Sequence, residues 1–311
     1  MAFLYALPGA VAEGLIWGLM AIGVYISYKI LDIADLTVDG SICTGACVCA
    51  VLLGLGVPAW VSILVALVAG ALTGVVTGLL HTRLGIPSIL AGILTQLMLY
   101  SVNLLILSGK SLMPIDPRAN KLLVHMSNNY MSILSLVIIV AVTIVILYLF
   151  FYTQVGLTLK SAGDNPDMSR AQGVDVDRNK VIGLAIANGI VALAGALLAQ
   201  YKGSANINDG RGAIVIALAA IFIGLSVSLK IKPNFVVSLI GVVCGGIVYY
   251  IVYNFVILLG LKTDYLKMLS AIIVALFLGV PYVKSKYFTK QKNLHPAQII
   301  EQSRKGGNGD A

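Results

Sequence analysis

Long apolar stretches separated by short polar breaks dominate this sequence. They fall at 10–30, 36–56, 58–80, 86–108, 132–152, 181–201, 212–229, 234–259 and 265–283. Each is close to the ~20 residues that carry an α-helix across a bilayer. Of the 311 residues, 59% are hydrophobic and only 11% charged, whereas a soluble domain carries roughly a quarter charged residues. A chain of this kind cannot bury its apolar surface in water. The expected fold is an all-α integral membrane protein with about nine transmembrane helices, within a range of 8–10.

Proline marks the turns between neighbouring spans at Val57-Pro58, Gly85-Ile86-Pro87 and Lys232-Pro233, because proline lacks a donor and pushes the preceding residue out of helical geometry. The net charge of +8 is spread between and after the apolar runs, which argues for membrane topology and against nucleic acid as a partner. With nine spans and an external N-terminus, the inner segments hold Lys29, Arg83, Lys160, Arg170, Arg178, Lys180, Lys230, Lys232 and the basic residues of the tail, twice as many as the outer ones. The positive-inside rule then places the C-terminus in the cytoplasm. We expect one transmembrane domain over 1–283 and a polar cytoplasmic tail over 284–311. No secretory signal peptide is visible, since the first basic residue is Lys29. Cys43, Cys47, Cys49 and Cys244 have neither zinc-pair nor redox-pair spacing and read as small packing residues, so neither a metal nor a disulfide is expected.

An internal duplication is visible in outline. Asp39-Gly40 matches Asp209-Gly210, Gly70 matches Gly245 and Leu84-Gly85 matches Leu259-Gly260 at similar offsets. Copies near 10–108 and 181–283, separated by the single span 132–152, imply an inverted repeat. Ala66, Gly70, Gly74 and Gly78 recur every four residues, and Gly241 and Gly245 repeat that spacing, which predicts close helix contact. Tyr249, Tyr250 and Tyr253 share a face and read as space-filling.

The hydrophilic connection 154–180 is the most informative stretch. Asp164-Asn165-Pro166 supplies a helix N-cap followed by proline in the first turn, and Gly173 supplies a stop. A short helix over about 166–172 follows, with Asp167 near its start and Arg170 further along. The run Gly156-Leu157-x-Leu159-Lys160-Ser161-Ala162-Gly163-Asp164-Asn165-Pro166, with Ala171-Gln172-Gly173-Val174 behind it, resembles the cytoplasmic signature of the permeases that serve branched-chain amino acids, ribose and related solutes. Asp35-Leu36-Thr37-Val38-Asp39-Gly40-Ser41 is similar to the segment that opens the second span of ribose-type members, with Asp39 as a departure.

The resemblance implies a type II ABC importer in the bacterial cytoplasmic membrane, a multi-pass subunit pairing with a second copy of itself within the lipid. A cytoplasmic ABC ATPase would hold the ATP and Mg, and an extracytoplasmic solute-binding protein would deliver solute. Gly163, Asp164, Asn165, Pro166, Asp167, Arg170 and Gly173 would form the coupling helix. The chain carries no nucleotide site, since Gly109-Lys110-Ser111 lacks the first glycine of a P-loop. No cofactor is therefore expected on it. The version seen here looks most like permeases for tryptophan or tyrosine, with sugar or nucleoside as the alternative solute.

Polar residues within spans are costly in lipid and mark the candidate solute path: Thr37, Asp39, Ser41 and Gln96, with Asn206, Asn208 and Asp209 in the second copy. Asp39 either meets a solute's amino group or caps a helix near the inner surface. The second cluster is expected on the outer side. A secondary transporter coupled to ions would need carboxylates for protons or sodium, and only Glu13 and Asp39 qualify. A membrane enzyme would need a catalytic constellation, yet His81, His125 and His295 lie in separate segments, so no catalytic residues are assigned.

Overall fold

The computed structural model describes residues 2–116, 122–126, 129–228 and 234–258, with isolated helical positions at 268, 271, 272, 275 and 279. Apart from those positions, the span expected at 265–283 lies outside the described residues, as do the tail 284–311 and the Lys232-Pro233 break.

Ten α-helices follow in order among the described residues: α1 Ala2–Tyr25, α2 Val38–Gly54, α3 Ala59–Thr82, α4 Ser88–Ile106, α5 Asn129–Tyr152, α6 Gln154–Asp164, α7 Pro166–Ala171, α8 Val176–Lys202, α9 Ala213–Ser228 and α10 Phe235–Leu258. A wider π-helical turn, Ile26–Ile30, prolongs α1. Six of the helices are long and apolar enough to cross a membrane, while α2 and α9 are apolar but shorter. The protein is thus an integral membrane protein, mostly helical. Pro58 and Pro87 sit immediately before α3 and α4, as the turn chemistry requires. Among the described residues two short strands depart from the all-α expectation, β1 Leu112–Pro114 and β2 Ser204–Asn206, paired antiparallel with Met113 opposite Ala205.

Small residues set the packing. A Cβ placed on Gly70 would strike Ala192 and the Asn188 carbonyl, one on Gly74 the Leu184 carbonyl, and one on Gly78 the Val181 backbone. The four-residue spacing in α3 is therefore a track for α8. From the other side Gly45 of α2 meets Ala192, and Gly195 of α8 meets the Ile42 carbonyl. The second half repeats the device, with Gly245 of α10 against Ala220 of α9 and Gly224 of α9 against Gly241 of α10. In lipid, where apolar contact between helices gains nothing from excluding water, this close backbone approach holds helices together. Tyr249 and Tyr250 are buried, and Tyr250 stacks on Trp17 with ring centroids 5.8 Å apart, so these rings fill space against α1.

The helix contacts are reciprocal. α1 packs on α10 and α9, as α8 packs on α3 and α2. At one end of the bundle the Tyr201 hydroxyl donates to Asn129 and the β1–β2 pair lies beside the end of α2, where Gly54 faces Met113. At the opposite end Phe151 meets Phe235 and Tyr28 meets Phe222. The N-termini of α2 and α9 touch each other, since the Gly210 backbone lies against the Asp39 carbonyl. From that shared level α2 runs toward the first end and α9 toward the second. At 17 and 16 residues and 1.5 Å per residue, each is about 25 Å long, short of a full crossing.

This arrangement corrects the expectation that Asp39 lies near one membrane surface and Asn206 to Asp209 at the other. Span counting assumed that each apolar run crosses completely. Instead both segments enter the bundle as non-helical chain, over 31–37 and 203–212, before their helices begin.

The track between α3 and α8 leaves no room for a side chain. Gly74→Leu is expected to destabilise the fold by about 1–3 kcal/mol or more, the cost of overpacking, whereas Leu72→Ala on the exposed face of the same helix should stay within about 0.5 kcal/mol. Thermal unfolding in detergent compares the two.

Candidate functional site

Two regions concentrate polar side chains. The first is the junction where α2 and α9 begin. The Asp39 carboxylate accepts the Gly212 N–H at 2.8 Å and the Ile214 N–H at 2.9 Å. Asp39 therefore caps a helix, but it is α9, about 175 residues along the chain, rather than its own α2. Beside it the Cys43 thiol donates to the Ile207 carbonyl at 3.3 Å and accepts the Gly210 N–H at 3.1 Å. The sequence reading of Cys43 as a packing residue missed this role in holding the turns that lead into α9. Cys47 and Cys49 are buried as expected.

Behind the junction lies a buried polar network. Asp35 accepts the Thr37 N–H at 2.9 Å and the Asn188 side-chain amide at 2.6 Å. Ser41 donates to Asn188 at 2.6 Å and bonds Thr73 at 2.7 Å, while Thr37 and Thr77 share a 2.7 Å bond. These groups fix the non-helical segment 31–37 against α3 and α8. Thr37 and Ser41, expected on the solute path, belong to this interior network and not to an open surface. Asp35 was quoted only as part of a motif. Its fully buried position was illegible because its partner Asn188 lies 153 residues away.

In front of the junction is a cavity of about 400 Å³, lined by Asp39, Gly40, Cys43, Gln96, Leu97, Tyr100, Asn103, Ile207 and Arg211. It joins two of the expected path residues, Asp39 and Gln96. The other three lie outside its lining: Asn206 accepts the Asn208 N–H in a local turn, and Asp209 pairs with Lys202 at 3.5 Å. Sequence reasoning passed over Arg211 and Tyr100. Arg211 stands two residues beyond the Asp209 it singled out, and its guanidinium lies over the Tyr100 ring, 5.9 Å from the centroid.

The second region is the connection between α5 and α8. It holds two helices where the sequence predicted one. α6 was missed, although Thr153 caps it by accepting the Gly156 N–H, and Gly156, Leu159 and Ala162 form its buried face at helical spacing. α7 matches the expected short helix closely. Asn165 is its cap, accepting the Met168 N–H at 3.0 Å, Pro166 opens it, and Gly173 beyond it takes φ 82°. The Gly163 backbone lies against the Ile30 carbonyl, which leaves no space for a Cβ. Asp164 faces a cavity of about 500 Å³ shared with Lys29, Asp32 and Lys160. Arg170 pairs with Asp177 at 3.3 Å on the exposed surface, and Asp167 is exposed too. Met168, 60% exposed at the tip, is an apolar residue that the sequence reading did not single out.

Residues 9–278 match the family described as the branched-chain amino acid transport system, permease component. The chain belongs to that family. The permease is 37% identical to a tyrosine transport system permease protein of Clostridioides difficile over 86% of this chain and 88% of the relative. It is 31% identical to an uncharacterized protein of Rickettsia prowazekii, over 88% and 96% of the two chains. A ribose import permease protein of Escherichia coli is 24% identical over 78% and 75%. No solved structure matches.

The permease's cap on α9 makes a specific prediction. Asp39→Ala leaves the Gly212 and Ile214 N–H groups at the start of α9 without their acceptor and should cost about 1 kcal/mol, the usual worth of a helix cap, whereas Asp39→Asn keeps one acceptor oxygen and should cost less. Hydrogen exchange across residues 210–216 reads the loss directly, with faster exchange in the alanine variant than in the asparagine one.

Proposed function

We propose that the permease is the membrane-spanning subunit of an ABC importer, passing a small solute delivered outside by a solute-binding protein and driven by a separate cytoplasmic ATPase that holds ATP and Mg. No cofactor resides on this chain in that reading, which makes it a transport subunit and not an enzyme. The observation that carries it is the α6–α7 knob. It is capped at both helix starts, anchored by the buried face of α6, and pressed against Ile30 just where the chain leaves α1 for the segment 31–37. A push on Asp167, Met168 and Arg170 is then delivered to the chain that leads to Asp35 and Asp39. In this scheme Gly163, Asp164, Asn165, Pro166 and Gly173 shape the knob, while Asp167, Met168 and Arg170 face the ATPase.

The same reading has about nine spans in one permease domain over 1–283, with the C-terminal tail 284–311 in the cytoplasm of a bacterium and the knob on the same side. The reciprocal packing of α1 with α10 and α8 with α3, and the opposed directions of α2 and α9, support the inverted repeat. Two such subunits pair in the lipid, so that one path serves the dimer. The solute is an amino acid, aromatic by preference, because the first of the relatives above is named for tyrosine. Sugar is the second reading, favoured by the similarity to a ribose import permease.

A pull-down from the native host tests the importer reading. A P-loop ATPase is expected to copurify with the detergent-solubilised chain and to be lost when Met168 is changed to Asp, which places a charge at the apolar tip of the knob. An ATPase absent from the wild-type sample, or one retained equally by Met168→Asp, would count against it. Arg170→Ala is expected to lower uptake more than it lowers solute capture by the binding protein, since the exposed Arg170–Asp177 pair braces the knob and touches no solute.

A further inference from the structure

The cavity in front of the α2–α9 junction holds more polar capacity than the fold itself uses. Its lining holds one carboxylate, Asp39, and one guanidinium, Arg211. Among the described residues neither is in an ion pair. The two Asp39 oxygens each take one backbone N–H, and a carboxylate has about four acceptor sites, so each oxygen retains capacity for another donor. The Arg211 guanidinium rests on the Tyr100 ring and keeps its forked donors. Asn103 adds an independent sign. It lines the same cavity, is 1% exposed, and its side-chain oxygen has no hydrogen-bond partner. A buried acceptor left open costs stability, and a donor arriving in the cavity would satisfy it.

A neutral sugar would use the amides but gains nothing from opposite charges placed around one cavity. A zwitterion uses both. We infer that this cavity is a transit site for a free α-amino acid with a flat apolar or aromatic side chain. The α-ammonium goes to Asp39 and Asn103, the α-carboxylate to Arg211 and the side chain lies along Tyr100 beside Gln96. The volume of about 400 Å³ falls within the range of small-molecule sites, roughly 300–1,000 Å³. The inference deepens the importer reading by giving the membrane subunit its own selectivity, and it rests on that reading for the direction of transport. The site is built for passage. Asp39 is already engaged by α9 and Arg211 stands at the exposed mouth, so neither holds the solute with its full capacity.

The test is labelling of a cysteine at the cavity mouth in the intact chain within lipid nanodiscs. Leu97, 65% exposed in the lining, is replaced by Leu97→Cys in a background with the exposed Cys244 changed to Ser. The rate of reaction with a charged maleimide is measured with L-tyrosine, with tyramine, which lacks the carboxylate, with 3-(4-hydroxyphenyl)propionate, which lacks the amine, and with D-ribose. L-Tyrosine is expected to slow labelling at the lowest concentration. Arg211→Gln should raise the L-tyrosine concentration required by roughly tenfold, the effect of removing one charge-assisted hydrogen bond, while leaving tyramine's unchanged. Arg211 is on the surface, so this variant folds, whereas Asp39 is left intact because it caps α9. Equal protection by D-ribose, no protection by any compound, or an Arg211→Gln variant that behaves as its parent would each overturn the transit site. The importer reading is judged apart from this. An ATPase that copurifies without tyrosine protection sinks the site alone, and tyrosine protection without an ATPase sinks the importer reading alone.

Discussion

A bilayer offers no water to a broken helix. Wherever the backbone leaves helical geometry inside such a bundle, its N–H and C=O groups must find partners within the protein. Among the described residues the segments 31–37 and 203–212 are such breaks, and the Asp39 carboxylate holds them together by accepting Gly212 and Ile214. Without that acceptor two backbone donors at the start of α9 would lose their partner. The position of α9, the shape of the cavity before it and the level at which α2 begins all depend on this one carboxylate. Asp35 and Cys43 complete the arrangement, each accepting a backbone N–H of a non-helical turn, from Thr37 and Gly210.

Around the junction the bundle is stiff. α3, α8 and α2 meet at close range through Gly70, Gly74, Gly45 and Gly195, which packs them tightly. The α6–α7 knob touches this group at α8 and touches Ile30 at the head of the broken segment. A displacement of the knob therefore has a short mechanical route to the polar network of Asp35, Asn188 and Ser41. The route runs through packed backbone, which transmits strain because protein interiors are dense and poorly compressible.

Much of this was legible in the sequence because it is local or periodic. Apolar run length identified the helices, a four-residue ladder of small residues identified the α3–α8 track, and Asn165-Pro166 with Gly173 identified α7. What was illegible is what depends on partners far along the chain. Nothing near Asp39 reveals that its acceptors serve residues 212 and 214, and nothing near Asp35 points to Asn188. Counting complete spans then put the two Asp-Gly segments on opposite sides, when each is the start of a partial helix. α6 was overlooked because its buried face is only Gly156, Leu159 and Ala162, too few apolar residues to stand out from a hydrophilic loop. Arg211 and Tyr100 were overlooked because charges and aromatics at span ends are ordinary, and only the fold brings them to one cavity.

Energy coupling is the property that separates an importer driven by a partner ATPase from a transporter driven by an ion gradient through Asp39 or Glu13. The permease copurified with its host partners and sealed into proteoliposomes decides between them by uptake of labelled L-tyrosine. Uptake that requires ATP on the cytoplasmic side and persists after ionophores collapse every ion gradient is the expected result. Uptake that proceeds without ATP and stops with the gradient would contradict it.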